Sequence, residues 1–365
     1  MKGQTWSVVL EDVRKMALKE FPLPRIGEED GLLRVEMCGI CGSDVGIYNG
    51  KNIRVQQFFP IIPGHEILGR IEEMGEKASL RHGVRKGDRV VVEFTFGCGY
   101  CRFCLEGRYV FCQEGGRYGG SISCNTPPHL WGAYGEYLYL PPHAMIHKIS
   151  EDVPAEAAVL VCAVLGNAVR WLRQMGNVSI GYTVVIEGPG QQGLAGVVVA
   201  KESGAAKIIV TGVSQDQRRF EMARLLGADY CIDISREDPV KTVQEITGGE
   251  MADVVMDVTG HKEGAIAAID MVKRGGTVVL PGLYGTAKEV PLLLDKVVVN
   301  EIRLQGVYSH NLTSVGPAIK IAESRKYPLE KMVTHRFPLR EAEKAVRTVA
   351  GEVEGEDPIK VVLLP

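Results

Sequence analysis

Between residues 183 and 211 the chain reads as strand, glycine turn, helix and strand, and that succession leaves few folds open. Thr183, Val184, Val185 and Ile186 form a short β-branched run suited to a buried strand. Gly188, Gly190 and Gly193 follow at Gly-x-Gly-x-x-Gly spacing, residues 194–201 open a helix, and residues 207–211 make the next strand. Three glycines at that spacing are a weak signal alone. Set between strand and helix in a βαβ unit, they have the context a dinucleotide-binding turn needs. The glycines allow a tight turn and close approach of a pyrophosphate, whose charge meets the helix N-terminus. A glycine-rich turn that binds nothing is the competing reading.

The alternation continues. Strands are expected at 230–234, 253–258, 277–280 and 302–307, and helices at 215–226, 239–247, 262–272 and 292–299. Six strands with intervening helices make a doubly wound parallel sheet. Upstream the texture differs. Apolar runs at 32–37, 67–74, 89–94 and 134–140 are separated by glycine and proline, and Gly87–Asp88 is a turn signal, so the first third reads as mainly β. Residues 113–131 are rich in Gly, Ser, Asn and Pro and read as a long solvated loop beside a substrate cleft. Its Cys124 and His129 are read as loop residues rather than ligands. Asp152 and Pro154 signal a helix start, and residues 155–175 are mainly helical. A chain of 365 residues exceeds what one core usually supports. Two domains are therefore expected: 158–307 for the doubly wound sheet, and 1–157 with 308–365 for the β-rich part.

Two clusters carry candidate chemistry. Cys38, Gly39, Ile40, Cys41, Gly42, Ser43 and Asp44 are followed, after a spacer, by Pro63, Gly64, His65 and Glu66. A thiol, a hydroxyl, an imidazole and two carboxylates in one segment are the groups an open zinc site needs, with Cys41 and His65 as two of three ligands. A buried cysteine and a core histidine are the plain alternative. Further on, Cys98, Cys101, Cys104 and Cys112 are separated by two, two and seven residues. Four thiolates at one point repel unless a cation neutralises them, and a tetrahedral structural zinc does so; an iron–sulfur cluster is the rival, and reduced cysteines without metal the third reading. A closed four-cysteine site contributes folding energy and no chemistry.

Composition narrows the classes. A formal net charge of −3 gives no ground for nucleic acid or an anionic membrane as partner. The N-terminus shows no signal-peptide apolar region, and the apolar run 157–165 is far short of a membrane span. A cytoplasmic protein is expected. Disulfides are rare there, so nine cysteines call for another explanation.

Taken together, residues 30–360 resemble a zinc-containing medium-chain dehydrogenase/reductase, the superfamily of alcohol, polyol and threonine dehydrogenases. Three signatures agree in order: Gly39-Ile40-Cys41-Gly42-Ser43-Asp44 with Gly64-His65-Glu66, the four-cysteine lobe, and the later glycine turn. The resemblance implies an α/β chain: a GroES-like, mainly-β catalytic domain interrupted by a Rossmann domain, with the active site in the cleft between them. It implies one catalytic and one structural zinc per chain, NAD or NADP as cofactor, and reversible hydride transfer between an alcohol and the corresponding carbonyl. Cys41 and His65 resemble the first two catalytic ligands. Asp44 looks like the carboxylate that orients His65, and Glu66 like the glutamate that can reach the metal. Ser43 matches the hydroxyl that takes the alcohol's proton, and Phe94 falls at a pocket-wall position or packs in the core. A catalytic zinc held by two cysteines and a histidine is a known feature of alcohol dehydrogenase, and the resemblance, not the spacing, carries it here. Relatives form homodimers or homotetramers, and the texture is nearer the polyol and threonine branch.

Three departures stand out. The third ligand is expected from the helix after the β-domain. Cys162 is the candidate there, one residue out of register, with Glu66 as the alternative. Gly46 stands where many relatives have a histidine that carries the proton outward. At the end of the second Rossmann strand, Gly212 replaces the aspartate that normally holds the ribose 2′-hydroxyl of NAD. Ser214, Arg218 and Arg219 are placed to meet a 2′-phosphate, which points toward tolerance of NADP, while Asp216 is the alternative partner for NAD. A zinc-independent enone or quinone reductase of the same superfamily and a non-catalytic homologue are the rival functions; Cys41, His65, Glu66 and Ser43 argue against both.

Overall fold

The computed structural model describes residues 3–284 and 289–365. The chain forms two compact units, Met1–Ala163 with Ile319–Pro365, and Val164–Ala318.

The first unit is mainly β. Six strands run in the order Val333–Pro338, Lys360–Leu364, Gly31–Gly39, Glu66–Met74, Arg89–Val92 and Ile146–Lys148, and Tyr137–Leu140 joins Gly31–Gly39 as a seventh. Alternating side chains such as Leu33, Val35, Ile67, Ile71, Val90 and Val92 bury one face of this sheet. A hairpin of Gln4–Asp12 and Lys15–Pro22 precedes it. The register matters for the chemistry. Gly39 pairs with Glu66 on one side and with Val362 on the other. The start of the strand Lys360–Leu364, some 300 residues away in sequence, is thereby carried to the end of Glu66–Met74.

The second unit holds a six-stranded parallel sheet in the order Tyr230–Asp233, Lys207–Gly212, Thr183–Glu187, Ala252–Asp257, Val272–Leu280 and Arg303–Gly306. All six expected strands form. The four inner strands carry apolar runs such as Val184–Ile186 and Ile208–Val210, the usual pattern of a parallel sheet, whereas the edge strands Tyr230–Asp233 and Arg303–Gly306 do not. Val185, Ile209, Val255 and Val278 are all fully buried.

Two expectations change. The segment 113–131 is irregular but packed, not solvated. Tyr118, Cys124, Leu130 and Trp131 are buried, His129 Nδ1 lies 2.8 Å from the Cys124 carbonyl, and its ring stacks on Phe21. Cys124 and His129 thus hold the loop down. The helical stretch Ala155–Met175 is also not one regular helix. It contains two π-helical segments, Val161–Gly166 and Val169–Met175. By length and composition it is the one described helix that could cross a membrane, yet most of it is buried inside the fold as a core helix.

Candidate active site

The strand Gly31–Gly39 ends at the segment that carries the first cluster. Cys41 caps the short helix Gly42–Tyr48, and Asp44 in its first turn accepts the Cys41 backbone N–H at 2.8 Å. The same carboxylate oxygen accepts the Tyr134 hydroxyl at 3.3 Å. The other oxygen, Asp44 Oδ1, faces His65 Nδ1 at 3.2 Å. Asp44 is buried, so its position is fixed by these contacts. With Nδ1 turned to a carboxylate, Nε2 of His65 is left to bind a cation. Burial works against charge on His65, but Asp44 beside it and the Cys41 thiol outweigh that and raise its pKa well above the ordinary value. The edge of the Phe94 ring stands 5.6 Å from the imidazole, centroid to centroid, which places Phe94 at the site and not only in the core.

Cys41, His65 and Glu66 each bring one donor atom within 4.8 Å of the other two. Glu66 is fully buried. Its Oε2 pairs with Lys360 Nζ, which also donates to the Ile40 carbonyl at 2.9 Å. A side chain at Gly39 would collide with this pair, so the close approach needs glycine there. Glu66 Oε1 is buried with no hydrogen-bond partner. An orphaned carboxylate oxygen beside a thiol and an imidazole is a donor set that fits a zinc ion, and burial of such a group is costly unless something positive meets it. Ser43 is exposed, with Oγ 3.5 Å from His65 Nε2.

The structure does not bring Cys162 into this set. It lies buried in the first π-helical segment, and among the described residues no metal-competent group includes it. Burial, with Glu93 and Glu66 nearby, pushes the Cys162 thiol well above its ordinary pKa and keeps it neutral.

The four cysteines do converge. Their sulfurs lie within 4.8 Å of one another, at 3.5 Å for Cys101–Cys104, 3.8 Å for Cys101–Cys112 and 3.9 Å for Cys98–Cys104. A tetrahedron with metal–sulfur bonds of about 2.3 Å has edges of about 3.8 Å, so the spacing fits a single ion and is too tight for cysteines spread around an iron–sulfur cube. Burial raises the thiol pKa of Cys112, but N–H groups of Cys98 and Glu114 outweigh it and bring the value down to about 7. Cys104, with neighbouring thiols around it, is pushed up to about 12 by burial.

At the glycine turn each glycine has a distinct role. Gly188 has a φ of +99°, which an L side chain rarely adopts. A Cβ on Gly193 would collide with the Gly188 carbonyl, so the helix Gln191–Glu202 packs on the strand only because glycine is there. A Cβ on Gly190 would meet nothing within 4 Å, which leaves open space at the helix N-terminus where a pyrophosphate is expected. The turn therefore fits a dinucleotide. At the ribose end, Ser214 Oγ donates to Asp233 Oδ2 at 2.7 Å and Arg219 Nη1 to Asp216 Oδ1 at 2.6 Å, so two of the three groups read as phosphate ligands already serve carboxylates; Arg218 is exposed.

Sequence reasoning missed Lys360 and Tyr134. Lys360 left a signal: it is a lone cation in the apolar run Ile359, Val361, Val362 and Leu363, and such a residue needs a buried anion. Tyr134 left none.

Residues 27–151 match the family model of the alcohol dehydrogenase GroES-like domain, and residues 193–324 that of the zinc-binding dehydrogenase. A Mycobacterium tuberculosis protein named "Probable alcohol dehydrogenase adh" is 38% identical over 364 residues, covering 98% of each chain. The erythritol/L-threitol dehydrogenase of Mycolicibacterium smegmatis is 32% identical, over 98% of this chain and 97% of that one. Among solved structures, an alcohol dehydrogenase from Thermotoga maritima superposes with a TM-score of 0.91 at 29% identity, over 99% of both chains.

Proposed function

Because the chain belongs to the zinc-type medium-chain dehydrogenase/reductase family, and is an oxidoreductase of that family, we propose that it oxidises a secondary alcohol or polyol to the carbonyl with NAD(P), reversibly and with zinc. The observation that carries this reading is the convergence of Cys41, His65 and Glu66 with an unpartnered carboxylate oxygen and a serine hydroxyl beside them. Zinc bound there would supply Lewis acidity that makes an alcohol O–H easier to ionise. The nicotinamide would supply the hydride acceptor.

The chain's own residues do the rest. Ser43 receives the hydroxyl proton. Asp44 holds the His65 ring by Nδ1, so the imidazole cannot turn away. Lys360 holds Glu66 in place through the buried ion pair to Oε2, and Oε1 is left without a hydrogen-bond partner. At Gly46 no titratable side chain stands, so the proton leaves Ser43 through water or cofactor hydroxyls. The four-cysteine lobe holds the second zinc. The erythritol/L-threitol-acting relative supports a polyhydroxy substrate. The exposed Leu293, Leu294, Val298 and Val299, in the unit whose sheet ends, among the described residues, at the edge strand Arg303–Gly306, support a homodimer or homotetramer.

A screen of secondary alcohols and polyols with both cofactors tests the proposal. The expected result is alcohol-dependent reduction of the nicotinamide that His65→Ala abolishes and chelation slows. Turnover that survives H65A unchanged would overturn it, as would activity only toward enones or quinones.

A further inference from the structure

Gly212 ends the second strand of the parallel sheet, where an aspartate usually meets the adenosine ribose. The structure shows what fills the gap. A Cβ built on Gly212 would stand 2.9 Å from Asp216 Oδ2, 2.9 Å from the Phe220 ring and 2.9 Å from Pro189 Cγ. Pro189 lies inside the glycine turn, and Gly188 N is bonded to the Thr211 carbonyl at 3.0 Å. The Asp216 carboxylate and Pro189 of the glycine turn thus both border the space beside Gly212. A Cβ at 212 would crowd against that carboxylate, the Phe220 ring and Pro189, so glycine suits the position while Asp216 stands where it does.

The carboxylate is held in place. Oδ2 accepts the Val213 N–H at 2.9 Å and Oδ1 accepts Arg219 at 2.6 Å, with Asp216 only 9% exposed. An ionised carboxylate has about four acceptor positions, and two of these are used. The rest can accept the two hydroxyls of a ribose. A 2′-phosphate would instead meet two carboxylates, Asp216 and Asp233, which pair with Arg219 at 2.6 Å and Arg236 at 3.3 Å.

We propose that Asp216, reaching back from the turn after the strand, replaces the missing aspartate at 212 and selects NAD over NADP. This rests on the dehydrogenase reading of the same site. It reverses the tolerance of NADP expected from Ser214 and the arginines.

The test is direct binding. NADH and NADPH are titrated into the whole protein, with their fluorescence as readout and no substrate present. Wild type is expected to bind NADH at least tenfold more tightly than NADPH. Asp216→Asn should weaken NADH by roughly ten- to a hundredfold, the range for a lost hydrogen bond to a charged group, and close most of the gap to NADPH. Arg219→Gln keeps the carboxylate and should keep the preference. NADPH bound as tightly as NADH, or a ratio that D216N leaves unchanged, would overturn the proposal alone. A selective loss of NADPH affinity in R219Q would do the same, because the arginine would then be reading a phosphate. Failure to bind either cofactor would overturn the dehydrogenase reading and the proposal with it. If D216N does not fold, the wild-type ratio and R219Q still decide the matter.

Discussion

Replacing Lys360 by methionine should be among the most damaging single changes in the first unit. Both Lys360 and Glu66 side chains are 0% exposed, and each is the other's ion-pair partner. Methionine fills much of the lysine stem but leaves the Glu66 carboxylate buried without its lysine counter-charge. Breaking a buried pair from one side costs about 3–5 kcal/mol. The Ile40 carbonyl also loses its donor, worth about 1 kcal/mol. Removing both charges together, in K360M with Glu66→Gln, should cost less than the sum of the singles, because no lone ion remains. The assay is a double-mutant cycle by urea unfolding, followed by tryptophan fluorescence, with zinc content measured on every variant. A coupling energy above about 2 kcal/mol is expected. The reasoning fails if K360M costs under about 1 kcal/mol, or if the two single effects simply add.

Three further outcomes follow from other sites. Burial, with Asp257 close by, holds the Glu187 carboxyl well above the usual carboxylate range. Its folded pKa is thus raised, so stability present at acid pH is lost as pH rises from about 4.5 toward the folded value; Glu187→Gln should gain on wild type in denaturation midpoint as pH increases, and parallel curves would refute this. A Cβ at Gly46 meets nothing within 4 Å, so Gly46→His should fold normally and add a step near pH 6.5 to the rate profile that wild type lacks; a variant with an unaltered profile would remove that position from the proton path. Cys162→Ala should retain both zinc ions and lose roughly 1 kcal/mol of burial, and loss of one zinc by plasma emission would put the thiol back in the site.

The local parts of this protein were legible in its sequence. Zinc-type spacing in Cys98–Cys112 and the glycine turn are short-range patterns, and chain geometry alone brings those residues together. The six strands of the parallel sheet were readable for a related reason: strands such as Thr183–Glu187 are buried on both faces and cannot be confused with alternating edge strands. Long-range pairing was not legible. Lys360 reaches Glu66 only because Gly31–Gly39 pairs with both of their strands, and no local pattern reports such a register. Cys162 lies in a π-helical segment, which a period of 3.6 cannot foresee. Asp216 was visible as a candidate, but its capping of the turn at Val213 was not. In the segment 113–131 composition misled, since Tyr118 and Trp131 anchor what its glycines and serines made look solvated.

The most direct single measurement is anomalous diffraction at the zinc edge from crystals of active protein. Two peaks per chain are expected, one among the sulfurs of Cys98, Cys101, Cys104 and Cys112, the other bonded to Cys41, His65 and Glu66. An active enzyme whose crystals show no metal near Cys41 and His65 would contradict the proposed chemistry.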